Sequence, residues 1–213
     1  MPLTELAGWW RSLPPSAGRT RVLALDGRSG AGKTTLAAEL AAAAPGSDVV
    51  HLDAIYPGWD GLAATQGLVV EYLLEPLSTG RPAGHHRWDW SAGRPGEWHS
   101  LDPVPSLLLL EGIGCGARAC APYLAGLVWL DAPSAVRRER ALARDGDTYA
   151  PHWLRWADQE ASYLNSEQPR QRADLVLGNP PASASSTPAA VQVLIDRRTA
   201  ASPGPTGGRS PAR

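Results

Sequence analysis

Gly27-Arg28-Ser29-Gly30-Ala31-Gly32-Lys33-Thr34 fits the pattern G-x-x-x-x-G-K-[ST] and follows directly on Arg21-Val22-Leu23-Ala24-Leu25-Asp26. The apolar run before the motif reads as a short buried strand. The run after it, Thr35 through Ala44, reads as a helix that stops at Pro45-Gly46. Strand, glycine loop and helix in that order form a phosphate cradle. Glycines let successive backbone N–H groups turn inward, and the helix N-terminus adds a field that favours an anion. Gly27, Ser29, Gly30, Ala31, Gly32 and Thr35 are the expected cradle around Lys33 and Thr34. Lys33 is placed to reach the β- and γ-phosphates, and the Thr34 hydroxyl to hold Mg²⁺. The stretch predicts a nucleoside-triphosphate site.

The 213 residues suit one α/β domain with a little left over, and a hydrophobic content of 43% suffices for a core. A net charge of −1 supplies no basic field for nucleic acid or a membrane surface. The longest apolar run, around Leu107–Leu110, is far too short to cross a bilayer. The N-terminus has no basic segment followed by an apolar one, so no signal peptide is expected. Cys115 and Cys120 fit no metal spacing and read as reduced thiols of a cytoplasmic protein. Nine tryptophans and no phenylalanine make an unusual aromatic set.

Taken in order, residues 3–12 suggest a short helix with Trp9 and Trp10 on a sticky face, and the Pro/Ser/Gly-rich stretch at 14–18 ends it, so residues 1–20 read as an N-terminal helix and linker. Residues 48–53 read as a second strand ending in Asp53, and 62–79 as a helix weakened by Gly67 and Pro76. Residues 80–105 read as the least regular part of the chain. Residues 106–112 form a continuous apolar run, as a strand buried on both faces requires. Residues 126–131 predict a further strand, Pro133 opens a helix to about 145, a second helix spans 151–166, and 173–177 predict the last core strand. Strands alternating with helices imply a mainly parallel sheet covered on both faces. That assigns 21–178 to one domain and 179–213 to a Pro/Ala/Ser-rich, mostly disordered tail, with residues 191–195 as an apolar island able to dock as an edge strand.

A phosphate cradle does not by itself separate a kinase from an ATPase. Asp53 falls on the same sheet edge as the glycine loop, because parallel strands present their C-terminal ends together. A carboxylate there accepts a proton from a hydroxyl or helps bind Mg²⁺; a helix cap is the plainer alternative. Glu111 ends the 106–112 run, in the place of a Walker-B acid near the metal. Arg137, Arg140 and Arg144 share one helical face at i, i+3 and i+7. Such a stripe is either a solvated surface or a clamp on a transferring phosphoryl group.

With these residues assembled, the chain resembles the uridine kinase-like branch of the P-loop nucleoside kinases. The family opening is similar to Asp26-Gly27 through Thr34, and its acceptor motif to Asp53-Ala54-Ile55-Tyr56. Its Tyr-Asp before the middle strand is matched by Trp88-Asp89, the Glu-Gly ending that strand by Glu111-Gly112, and its lid helix by Arg137, Arg140 and Arg144-Asp145. The resemblance covers roughly residues 20–178, nearly all the chain with regular pattern. The family's Glu-Arg-Gly after Arg-Asp is missing, and Gly146-Asp147-Thr148-Tyr149 stands in its place.

The resemblance implies an α/β P-loop NTPase of the nucleoside/nucleotide kinase type, with an Arg-bearing lid helix over a mainly parallel sheet. It implies ATP and Mg²⁺ as cofactors, with Thr34, Asp53 and Glu111 at the metal and Lys33 with Arg137, Arg140 and Arg144 on the phosphates. Asp53 would be the base for the acceptor hydroxyl, and Tyr56, Asp60, Trp88 and Asp89 would contact the acceptor. Trp59, Trp88, Trp90 and Trp98 fall in the segments that would line its pocket. The expected partner is a small-molecule acceptor, most simply a nucleoside, with neither nucleic acid nor membrane. The alternatives are another small alcohol (a sugar, amino alcohol or antibiotic) and a nucleotide-binding switch that has no acceptor. The choice between ATP and GTP and the oligomeric state are not legible in the chain.

Overall fold

The computed structural model describes residues 1–179 and 192–197. Helix α1 (Leu3–Ser12) precedes β1 (Arg21–Asp26), and α2 (Lys33–Ala43) leads to β2 (Ser47–His51). α3 (Leu62–Val69) runs through a wide π-type turn at Val70–Leu74 into α4 (Glu75–Thr79), where Pro76 has no N–H for a regular helical bond. The hairpin strands β3 (Gly84–Asp89) and β4 (Arg94–Ser100) follow, then β5 (Leu107–Glu111) and β6 (Gly126–Asp131). α5 (Ser134–Tyr149), α6 (Trp153–Glu167), α7 (Pro169–Arg172), β7 (Leu175–Gly178) and β8 (Gln192–Asp196) complete the described chain.

The main sheet has the order β2-β5-β1-β6-β7-β8, parallel except for β8. Side chains alternate across a strand, so each central strand feeds two cores. Val22, Ala24, Leu108, Leu110 and Val176 face one side, where Leu73, Leu74, Leu77, Trp156 and Tyr163 cover them. Leu23, Leu25, Leu107, Leu109, Val128 and Leu175 face the other, against Leu6 and Trp10 of α1 and Leu36 and Leu40 of α2. The expected mainly parallel sheet with helices on both faces is what the chain forms.

Two sequence expectations need correction. The second strand ends at His51, and Asp53 lies in a single 3₁₀ turn, Leu52–Ala54. α1 packs into the core, where Trp10 is fully buried and its Nε1 donates to the Arg21 carbonyl at 3.2 Å. Residues 80–105 hold the β3–β4 hairpin, which the sequence reading missed. Its turn closes because the Asp89 carboxylate accepts the Ser91 and Ala92 N–H groups while Gly93 takes φ +63°, where a side chain would strain the backbone. α5 is broken at Gly146, whose φ 47°, ψ −130° is not helical, close to the expected end at 145. Within the expected apolar island, the described residues from Gln192 on form the antiparallel edge strand β8 beside β7. Apart from Asn179 and residues 192–197, the tail expected to be disordered lies outside the described residues.

Candidate functional site

β1 lies between β5 and β6, where the chain crosses to opposite sides of the sheet, and its C-terminal end opens the glycine loop. Asp26, the last residue of β1, is completely buried. Its carboxylate accepts the N–H groups of Gly27 at 2.7 Å and Gly116 at 3.0 Å and the Tyr163 hydroxyl at 2.6 Å. Burial pushes its carboxyl above the usual range, and these donors oppose that shift. Asp26 therefore ties the loop to α6 and to the segment after β5.

The loop itself is clamped from outside. The Glu160 carboxylate of α6 accepts the Ser29 N–H at 2.7 Å and Arg28 Nε at 2.8 Å. Arg137 donates one guanidinium nitrogen to the Ser29 carbonyl and Nε to that of Ala132, both at 3.3 Å. Asn179 Nδ2 donates to the Ala31 carbonyl at 2.8 Å. A Cβ on Gly30 would strike the Arg137 carbonyl, so this position admits only glycine. Arg137, expected among the phosphate-clamping arginines, is instead buried behind the loop as one of its supports.

Lys33 opens α2, is buried, and its ammonium lies 3.4 Å from the Arg28 carbonyl. The Thr34 hydroxyl donates to Glu111 Oε2 at 3.3 Å, and His51 Nδ1 lies 2.6 Å from the same oxygen. The strand register explains that contact, since His51 and Glu111 are paired residues of β2 and β5. Burial alone would raise the Glu111 carboxyl; the His51 hydrogen bond and the Lys33 charge outweigh it and hold it below its usual value. Reciprocally, the bond to Glu111 raises the His51 imidazole above its ordinary range. A carboxylate held ionised beside a hydroxyl, at the mouth of the glycine loop, is an oxygen donor set suited to a hard cation such as Mg²⁺.

These groups open into one cleft of about 830 Å³, lined by Lys33, Thr34, Glu111, Asp53, Arg140 and Arg144 at its polar end. The Asp53 carboxylate is 62% exposed and stands 4.0 Å from Arg144. The cleft also has an aromatic wall, and it reaches Asp53: Trp90 Nε1 donates to the Asp53 carbonyl at 3.2 Å. Trp59 stacks with Tyr149 at 5.5 Å and with His152 at 4.4 Å, and meets Trp90 at 4.8 Å and the edge of Trp156 at 6.3 Å.

Several expected acceptor contacts lie elsewhere. Asp60 is engaged in an ion pair with Arg155. The Asp89 carboxylate is taken up by the hairpin turn. Trp88 lines a smaller neighbouring cavity, and Trp98 packs on His86 and Tyr72 of the outer face. Tyr56 lines the cleft, but its hydroxyl donates to the Ile113 carbonyl at 2.8 Å. Sequence reasoning missed His51, Tyr149, Trp156 and Glu160. His51 becomes visible only once the β2–β5 register is known, and Glu160 looks like any acid on an amphipathic helix.

No protein-family model matches the chain, and no curated protein matches it. Solved structures do. A possible uridine kinase from Bacillus stearothermophilus matches with TM-score 0.57 and 19% identity, over 82% of this chain and 96% of that one. A protein named provisionally as a fructose transport system kinase, from Silicibacter, matches with TM-score 0.51 and 18% identity, over 81% and 95% of the two chains. The chain thus has the uridine kinase-like P-loop α/β fold. Among the described residues no helix is long and apolar enough to cross a membrane.

Proposed function

We propose that the protein is a Mg²⁺- and ATP-dependent kinase that transfers a phosphoryl group to a hydroxyl of a small molecule, a nucleoside-like acceptor in the first instance. The observation that carries this reading is the meeting of Lys33, the Thr34–Glu111 pair and Asp53 around one cleft with an aromatic wall. A nucleotide-binding switch needs the first two elements; it has no use for an exposed carboxylate facing an aromatic chamber.

In this reading the loop N–H groups and Lys33 hold the triphosphate, and Thr34 and Glu111 hold Mg²⁺, which supplies charge neutralisation on the phosphates when bound. Asp53 orients the acceptor hydroxyl and takes its proton. Arg140 and Arg144 face the space where charge develops on the transferring group, and Trp90, backed by the Trp59–Tyr149–His152 stack, gives a flat acceptor its aromatic contact. Most of the rate enhancement then comes from positioning and electrostatics, as phosphoryl transfer requires. Thr35, which also lines the cleft, stands at the nucleotide end.

The test is ADP release from ATP and Mg²⁺ with a panel of nucleosides, sugars and amino alcohols. Acceptor-dependent release that Lys33→Ala reduces by orders of magnitude supports the kinase. Slow release that no acceptor accelerates supports the switch.

A further inference from the structure

A second cavity of about 470 Å³ lies between the edge strand β2 and the β3–β4 hairpin, and Asp53 and Trp90 line both it and the main cleft. The two spaces therefore meet at the carboxylate assigned to the acceptor hydroxyl. Its remaining polar lining is basic: Arg87, His51, His85 and His99. Asp53 is the single acid in that lining, and Arg144 stands beside it on the cleft side.

Arg87 distinguishes this cavity from a merely polar surface. Arginines around the glycine loop and α6 are engaged: Arg28 with Glu160, Arg137 with the Ser29 carbonyl and Arg155 with Asp60. The Arg87 side chain has no hydrogen-bond or ion-pair partner among the described residues. A guanidinium presents a planar fork of donors that matches the oxygens of a phosphate or carboxylate. His99 stacks on its cross-strand partner His85 at 5.8 Å, which fixes the His99 ring plane and leaves its nitrogens without a hydrogen-bond partner among the described residues. His85 contributes shape rather than charge, since burial lowers its affinity for a second proton and its Nδ1 faces the His86 carbonyl at 3.3 Å.

We propose that this cavity binds an anionic group, a phosphate or a carboxylate, carried by the acceptor at a position remote from the hydroxyl that is phosphorylated. The inference rests on the kinase reading for its word acceptor and on the Arg87–His99 geometry for its anion. The acceptor then spans three regions: an apolar ring against Trp90, the reacting hydroxyl at Asp53, and the anion at Arg87. A neutral sugar or nucleoside leaves the third region filled with water alone.

Two measurements test it. In the first, inorganic phosphate is titrated into protein whose glycine loop is already filled with a non-hydrolysable ATP analogue and Mg²⁺. The expected result is saturable binding that Arg87→Gln and His99→Ala each weaken at least tenfold. Absent binding, or equal binding by wild type and both variants with unchanged melting temperature, overturns the anion site. In the second, acceptors are compared in matched pairs that differ only by one phosphate or carboxylate. The expected result is a kcat/KM at least tenfold higher for the anionic member and a gap that Arg87→Gln closes. Preference for the uncharged member overturns the proposal while leaving the kinase reading intact. ADP release that no acceptor of either class stimulates removes the kinase reading, and the phosphate titration then decides the cavity by itself.

Discussion

The Glu160 carboxylate accepts the backbone N–H of Ser29 at 2.7 Å, across 131 residues of intervening chain. Its second oxygen takes Arg28 Nε, and the carboxylate itself is 2% exposed. A phosphate loop is useful only while its N–H groups point at the ligand, and this contact fixes one peptide that does not. Replacing Glu160 with Ala leaves that N–H unsatisfied in a buried setting, which costs about 1–3 kcal/mol. The expected outcome is a lower urea midpoint together with weaker nucleotide binding. Glu160→Gln keeps an acceptor for Ser29 and recovers part of both. Unchanged midpoint and unchanged nucleotide Kd in Glu160→Ala count against the clamp.

Asp53 gives a sharper separation of chemistry from folding. Its carboxylate is mostly exposed, so Asp53→Asn changes stability by no more than about 0.5 kcal/mol. Loss of a general base lowers turnover by about 10²–10⁴-fold. Calorimetric titration of ATP on the same sample is expected to give wild-type affinity. A variant that turns over at the normal rate leaves Asp53 as a turn residue.

The pair His51–Glu111 makes stability depend on pH, and the sign follows from the two shifts. His51 is raised above its ordinary 6.5, so its contribution is complete below that value and is lost as pH rises through the raised one. Glu111 is lowered below its ordinary 4.5, so its contribution is complete above that value and is lost as pH falls through the lowered one. The difference in melting temperature between wild type and His51→Ala is therefore expected to be greatest between pH 4.5 and 6.5 and to shrink towards alkaline pH. A difference that stays unchanged from pH 6.5 up to alkaline pH removes the charged pair from the account.

Trp59 is the hub of the aromatic wall of the cleft and backs Trp90. Stacking of a flat acceptor contributes about 0.5–1.5 kcal/mol beyond buried area, equivalent to about two- to tenfold in KM. Trp59→Ala is expected to raise the KM of a planar acceptor by that factor while leaving the KM of ATP near its wild-type value. Addition of such an acceptor to wild type is expected to quench tryptophan fluorescence. An acceptor KM that does not move points to a non-planar substrate.

The glycine loop, the buried β5 run and the mainly parallel sheet were legible because each rests on a local rule. A continuous apolar run has to be covered on both faces, and G-x-x-x-x-G-K-T between a strand and a helix has few other uses. The hairpin was not legible, since every residue of β4 is exposed and no alternation marks it. The turn signal was nevertheless present: Asp89 followed four residues later by Gly93, between two aromatic-rich stretches. Glu160 and His51 were hidden for a different reason. Their roles come from contacts between elements far apart in sequence, which no window along the chain contains. The same holds for Arg137: helical spacing placed it correctly with Arg140 and Arg144, but spacing does not reveal which end of a helix face meets the loop.

β8 has a consequence for anyone who shortens this protein. β7 is buried along its whole length, and β8 is the strand that closes the sheet beside it. A chain ended after Asn179, at the natural-looking boundary before the Pro/Ala/Ser-rich segment, leaves the ladder groups of Leu175, Val176 and Leu177 unpaired. An apolar strand with a bare edge recruits a neighbour, so such a truncation is a recipe for self-association and precipitation rather than for a tidier domain.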